Sequence, residues 1–335
     1  MARKLTPLRV AAAGLVLLAL AAAFVLLPSD SYLLLPDKAR AVEPLVEVAG
    51  EKPRKDGGGI YFVAVDVRKA SLFERAFPGI HEGSTLIPGD QLLPPGVNEE
   101  ARREGELRAM ARSQQVAAAV ALRRLGYRVR TTNVGVIVEA LVARSPSVGK
   151  LRPNDVIVAV DGEPVRTRAD LLRLIGAHEP GEQVRVRVKR GTKEETVTIR
   201  AAADPNEPER AVIGVFVDQA ASIELPLEVK IDLGNVGGPS AGLAFALDVM
   251  EELGEDVDGG RKIAATGEIQ LDGTVVPVGG VKQKTIAVRR SGIGVFLVPA
   301  GENAREARRH ARGLRIIPVK NFQQALRSLA TLSRA

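Results

Sequence analysis

Ser240 stands in a crowd of small residues. Gly237, Gly238 and Gly242 surround it, Pro239 precedes it, and the apolar run Leu243-Ala244-Phe245-Ala246-Leu247 follows at once. Glycine permits positive φ and close backbone approach. Proline fixes the turn just ahead of a helix. The stretch Asn235 to Gly242 is therefore expected to turn the chain into a buried helix, with Ser240 at or near its N-terminus, where unpaired N–H groups point outward. Such donors can hold a developing oxyanion, and a serine among them can act as a nucleophile. The string lacks the first glycine of the G-x-S-x-G elbow, which argues against an α/β-hydrolase. The bland alternative is a glycine-rich turn capped by serine.

A serine hydroxyl needs a neighbouring base. Three histidines are available: His81 in a Pro/Gly-rich loop, His178 in Ala-His-Glu-Pro-Gly, and His310 in the charged stretch Ala304 to Arg312. None sits beside a pattern that would orient it. Ser-Lys pairs are a known variant of the same chemistry. The run Thr266-Gly267-Glu268 to Val281-Lys282-Gln283-Lys284 predicts strand, Asp-Gly turn, strand, glycine pair and helix start. Lys282 and Lys284 cannot share a helix face, so one is expected to point inward and the other to stay in water. A lysine base must shed its charge. Burial can lower its pKa from ~10.4 by up to ~3–5, into the ~7–8 range that suits a general base. Arginine cannot replace it, since its pKa stays above ~12.

The wider chain bounds the class. Its 335 residues suffice for two or three domains, and 45% hydrophobic content supports real cores. The net charge of +7 is spread along the chain with only 3% aromatics, so no nucleic-acid stripe is expected. The chain has no cysteine, which excludes disulfides, thiolate metal sites and cysteine nucleophiles. No G-x-x-x-x-G-K-[ST] string occurs, so no P-loop nucleotide site is expected. No cofactor or metal is called for.

The elements that must position these residues can be read in order. Residues 1–9 carry Arg3, Lys4 and Arg9, and residues 10–27 form an unbroken apolar run. As a helix that run would reach ~27 Å, near the ~30 Å hydrocarbon core. The reading is one transmembrane anchor with a cytoplasmic N-terminus and the rest of the chain outside; a cleaved signal peptide is the competing reading. Residues 28–44 then read as a linker. Ile60 to Val67 reads as a buried strand, Phe77 to Val97 as a loop, and Glu99 to Leu125 as a long helix. The arginines of that helix, Arg102, Arg103, Arg108 and Arg112, read as a solvated face. Residues 126–203 have a β-rich character of their own, and residues 204–335 return to mixed strands and helices. The fold class is α+β.

Two resemblances follow from these blocks. Gly238-Pro239-Ser240-Ala241-Gly242, Thr266-Gly267-Glu268 and Gly279-Gly280-Val281-Lys282-Gln283-Lys284 are similar, in order and spacing, to the proteolytic domain of Lon proteases. The resemblance implies a peptidase with Ser240 as nucleophile, Lys284 as general base, Thr266 supporting the lysine, and backbone N–H groups of Gly238 and Ser240 at the oxyanion. It also implies that copies assemble in a ring. Full-length Lon carries an ATPase motor that this sequence lacks. Asn154-Asp155-Val156-Ile157 and Asp161-Gly162 resemble a PDZ domain of the bacterial protease type, and Val134-Gly135-Val136-Ile137 matches its carboxylate-binding loop loosely. That resemblance implies strand addition by an extended peptide.

The expected architecture is thus a Lon-type proteolytic domain (residues 45–125 and 204–335) with an inserted PDZ domain (126–203), after one transmembrane helix. The expected activity is ATP-independent cleavage of extracytoplasmic peptides or unfolded proteins. A non-catalytic peptide-binding scaffold or chaperone on the same fold is the alternative.

Overall fold

A computed structural model describes residues 7–49, 57–93, 99–234 and 236–332. Residues 1–6, with Arg3 and Lys4 of the expected cytoplasmic flank, and Asn235 lie outside the described residues. The first half contains helix α1 (Pro7–Leu26), strands β1 (Pro28–Ala41) and β2 (Gly59–Ser71), helix α2 (Leu72–Ala76), strand β3 (Thr85–Pro88) and helix α3 (Glu99–Arg124). A β-rich unit follows: β4 (Arg130–Leu141), β5 (Val156–Val160), helix α4 (Arg168–Gly176), β6 (Gln183–Arg190), β7 (Lys193–Arg200) and β8 (Val215–Glu224). The last third holds α5 (Gly242–Glu252), β9 (Lys262–Ala265), β10 (Glu268–Ile269), β11 (Val275–Val276), α6 (Val281–Arg290), β12 (Val295–Pro299), α7 (Glu302–His310), β13 (Arg315–Val319) and α8 (Phe322–Leu332).

Six strands from both ends of the chain make one mixed sheet, in the order β13-β12-β9-β2-β1-β3. β13, β12, β9 and β2 run parallel, and β1 is antiparallel to both β2 and β3. Parallel strands are covered on both faces and so read as continuous apolar runs, as Ile263-Ala264-Ala265 and Phe296-Leu297-Val298 do. Helix α5 is buried along its whole length. It packs between α3 and the sheet, with Phe245 tilted against Phe62 of β2 at 6.1 Å between ring centroids. A helix that is apolar nearly all round belongs in such a core.

Residues 28–44 are not a linker. Most of them form β1, whose Tyr32 and Leu33 are buried. The two prolines of β1 sit where a strand tolerates them: Pro28 at its first residue, and Pro36 at a register shift against β2. The Phe77 to Val97 loop contains β3, and its residues 94–97 lie outside the described residues.

The β-rich unit forms a second, antiparallel sheet in the order β8-β4-β5-β6-β7. Its core is built from the inward residues of alternating strands, Val184, Val186 and Val188 among them, closed by Leu171 and Ile175 of α4. Thr167 and Asp170 start α4 with a capping box. Buried Asp155 takes Arg190 at 2.7 Å and the Arg152 N–H at 2.9 Å, which fixes the Asn154-Asp155 corner. The unit does not stop at residue 203. It recruits β8, after eleven intervening residues, as its edge strand. Because α3 before it and α5 after it belong to the other body, the unit is an insertion.

The transmembrane expectation for residues 10–27 meets α1, whose Leu15, Leu17, Leu18 and Leu20 are all exposed. Among the described residues no helix is long and apolar enough to cross a membrane.

Candidate active site

The nucleophile turn is built from close approaches. Gly238 has φ +87, and Pro239 to Ala241 form a single 3-10 turn that runs into α5. Gly242 is required by proximity, since a Cβ there would lie 2.7 Å from Ser113 Oγ and 3.2 Å from the Ile269 backbone nitrogen. Two backbone bonds sew the turn to the end of β9: Gly267 N–H donates to the Ser240 carbonyl at 2.8 Å, and Leu243 N–H donates to the Gly267 carbonyl at 3.0 Å. Ser240 is left half-buried at the start of the helix.

Lys284 arrives from the opposite side on the first turn of α6. Gly280, at φ +69, opens that helix, and a Cβ there would strike Val65 of β2 at 2.6 Å. Gly280 therefore lets α6 approach the sheet closely enough to bring Lys284 inward. Its Nζ lies 2.7 Å from Ser240 Oγ and 3.2 Å from Thr266 Oγ1. Lys284 is 3% exposed and Thr266 is wholly buried. Burial pushes the Lys284 amine down from 10.5 to about 7. The N-terminal end of a helix also disfavours a cation.

Thr266 settles which way the protons face. Its hydroxyl donates to the Ser240 carbonyl at 3.1 Å, so its lone pairs remain to accept an N–H from Lys284. A neutral amine has two N–H groups and one lone pair. With one N–H spent on Thr266, the lone pair can face the Ser240 hydroxyl, which is the geometry a general base needs.

The structure thus brings Ser240, Thr266 and Lys284 together. Lys282 is not in water as expected: its Nζ donates to the Ser84 carbonyl at 2.9 Å and so pins the loop before β3. His81 pairs with Glu74 at 2.7 Å and His178 with Asp161 at 2.9 Å, and neither has a contact with the Ser240 hydroxyl. Gly238 departs from its expected role. Its N–H donates to the Glu106 carbonyl of α3 at 2.9 Å, so that donor does not face a substrate. Ser113 Oγ, also on α3, donates to the Pro239 carbonyl at 2.9 Å. Glu106 and Ser113 were invisible in the sequence, because a backbone carbonyl and a small hydroxyl leave no pattern.

Arg112 likewise departs from the solvated face. Its guanidinium is half-buried and donates to the Gln219 carbonyl of β8 at 2.8 Å. Burial lowers the Arg112 pKa, opposed by the charges of Asp218, Glu268 and Glu139. Val134, Gly135, Val136 and Ile137 cannot take a peptide by strand addition. They lie on β4, which is paired with β8 on one side and β5 on the other. The edge beside α4 is β8, entered through Ile213-Gly214-Val215-Phe216, with Gly214 at φ +70. That short glycine-apolar string was the only signal for it.

Among the described residues, Glu251, Asp256 and Asp258 bring carboxylate oxygens within 4.8 Å of one another, a spacing that could hold a cation. Glu251 lies in the last turn of α5, and Asp256 and Asp258 follow it, at the end of that helix remote from Ser240. Glu251 there accepts the N–H groups of Val257 and Asp258, which makes it a clasp for the loop.

Comparison with known proteins finds two matching families. Residues 225–331 match the Lon protease (S16) C-terminal proteolytic domain, and residues 123–200 match the PDZ domain. The Lon protease of Chloroflexus aggregans is 34% identical over 129 residues, covering 37% of this chain and 14% of that protein. The Lon protease of Rickettsia bellii is 29% identical over 201 residues, covering 58% of this chain and 25% of that protein. Lon protease 2 of Bacillus subtilis is 36% identical over 109 residues, covering 32% of this chain and 18% of that protein. The chain thus spans a quarter or less of the length of these relatives. Among solved structures, the PDZ domain of an SdrC-like protein from Listeria monocytogenes aligns with 26% of this chain and 90% of its own, at 25% identity and a TM-score of 0.24. The chain carries a Lon-type serine protease domain together with a PDZ domain.

Proposed function

We propose that this protein is a Ser-Lys endopeptidase that cleaves peptides or unfolded proteins outside the cytoplasm without ATP, held to a membrane through residues 10–27. The observation that carries the catalytic part is the buried Lys284 amine 2.7 Å from the Ser240 hydroxyl. Neutral Lys284 takes the Ser240 proton as Oγ attacks the scissile carbonyl. The resulting ammonium, held by Thr266, returns that proton to the leaving amine, and an acyl-serine remains. Lys284 then takes a proton from a water that attacks the acyl carbon, and passes that proton to Ser240 Oγ as the ester bond breaks, so the hydroxyl and the neutral amine are both restored. The Ser240 N–H, at a helix start, supports the oxyanion; losing one such donor typically costs ~2.7–4 kcal/mol.

The exposed leucines of α1 and the apolar run of residues 10–27 support anchoring. The PDZ unit supplies an edge for extended peptide substrates. A ring of copies rests on family resemblance, and native mass measurement decides it. The test of the function is degradation of a casein-like substrate without ATP by wild type beside Ser240→Ala. Wild type is expected to cleave, and the variant to remain folded and inert. Equal cleavage by both proteins, or by neither, defeats the proposal.

A further inference from the structure

Helix α3 touches both halves of the molecule within two turns. Toward the protease, the Glu106 carbonyl holds the Gly238 N–H and Ser113 holds the Pro239 carbonyl, so both residues ahead of Ser240 are tied to it. Toward the PDZ unit, Arg112 donates to the Gln219 carbonyl of β8, and Asn154 Nδ2 donates to the Gly105 carbonyl at 3.0 Å. Gly237 tightens the contact, since a Cβ there would lie 2.7 Å from Glu106 Cβ. The same short segment therefore clamps the nucleophile turn and the peptide-receiving strand.

Two further features give this clamp a direction. β8 is an edge strand, and α4 lies beside it. Phe216 on β8 is more than half exposed, on the face of the strand opposite Val215 and Val217, which pack into the core that α4 closes. An extended peptide with apolar side chains fits that edge, pairing its backbone with β8 from Val215 onward. A strand reaching Gln219 needs the carbonyl that Arg112 now occupies. Arg112 has no carboxylate within ion-pair distance among the described residues to retain it there; Asp218, Glu139 and Glu268 act on it only at longer range.

We infer that α3 is a latch: a peptide strand on β8 displaces Arg112 from Gln219, α3 shifts, and the Glu106 carbonyl releases the Gly238 N–H to become the second oxyanion donor. Arg112 is a positioning residue in this scheme and touches no reacting atom. The inference rests on the proteolytic reading for its kinetic consequence, but the release of Gly238 can be read without catalysis.

The probe is a labelled ten-residue peptide ending in three apolar residues and a free carboxylate, with binding followed by fluorescence anisotropy. In Ser240→Ala, amide exchange of the segment containing Gly238 is expected to accelerate when the peptide is bound. In wild type, the peptide is expected to raise kcat for a short fluorogenic substrate by up to roughly 10²-fold, the usual worth of one oxyanion donor, with KM little changed. Arg112→Ala is expected to show the raised kcat without peptide, and Arg112→Lys to restore part of the latch. Binding that leaves both exchange and kcat unchanged overturns the latch, as does failure of the peptide to bind. Faster exchange with no cleavage under any condition keeps the latch and removes the proteolytic reading.

Discussion

Lys284 offers the sharpest test, because one buried amine sets both activity and stability. Its pKa falls from 10.5 to about 7 through burial, which corresponds to about 5 kcal/mol in favour of the neutral form at ~1.36 kcal/mol per tenfold. At the ordinary value only about one lysine in 3,000 would be neutral at pH 7; here about half are. Activity measured as kcat/KM on a fluorogenic peptide should therefore rise about tenfold per pH unit up to a midpoint near 7 and then level off. The sign for stability follows from the same shift. Between about 7 and 10.5 the unfolded chain binds more protons than the folded one, so this group makes the protein more stable as pH rises through that window, and the contribution is lost as pH falls through about 7. Lys284→Met keeps length and apolarity and removes the cost of burying the amine. It should be inactive yet more stable than wild type near neutral pH, with the difference in urea unfolding free energy shrinking toward pH 10 by at most about 5 kcal/mol. A flat pH–rate profile, or a stability gap between the two proteins that does not change with pH, would refute the reasoning.

Three other residues give independent checks. Thr266→Val removes the acceptor for the Lys284 N–H and the donor to the Ser240 carbonyl; kcat should drop roughly 10–10²-fold with KM nearly unchanged, as expected when a base loses its orientation. Gly267→Ala places a side chain at φ +149 and 2.6 Å from Val275 Cγ1, so urea denaturation should show a loss of about 1–3 kcal/mol. Asp248, buried beside Glu252 and Glu251, has its carboxyl raised from 3.8 to about 8, first by burial and then by those charges. The folded state holds the extra proton between those values, so this group's contribution weakens as pH climbs from about 4 to 8. Asp248→Asn should flatten that decline in the urea midpoint, and a decline as steep as wild type would count against it.

The catalytic pair was legible because chemistry constrains it locally. A serine among glycines and a lysine just after a glycine pair each need a particular backbone, and Gly280 and Gly242 are placed by contacts of 2.6 and 2.7 Å that only glycine permits. The long helix and the inserted β-rich unit were legible from periodicity. The role of β1 was not: prolines at positions 28 and 36 mark a linker statistically, while a strand end and a register shift accommodate them physically. The peptide edge was misplaced for a different reason. Alternation along Val134 to Val138 identifies a strand, but whether a strand is interior or edge depends on which distant segment pairs with it, and β8 enters this sheet from beyond residue 203.

That late return of β8 bears on how the two units communicate. Had the PDZ unit closed on itself before residue 203, a flexible linker would join it to the nucleophile turn, and peptide occupancy would change local substrate concentration and little else. Instead the edge strand is the segment that leads toward Ser240, and its Gln219 is bonded to the helix that also holds Gly238. Coupling between sites requires an element with two arrangements that both sites bias. Helix α3 meets the structural half of that requirement, because its Glu106 carbonyl and an oxyanion are alternative acceptors for one N–H, and its Arg112 and a peptide strand are alternative donors to one carbonyl. The two exchanges lie within two turns of one helix, so a small shift of that helix suffices for both.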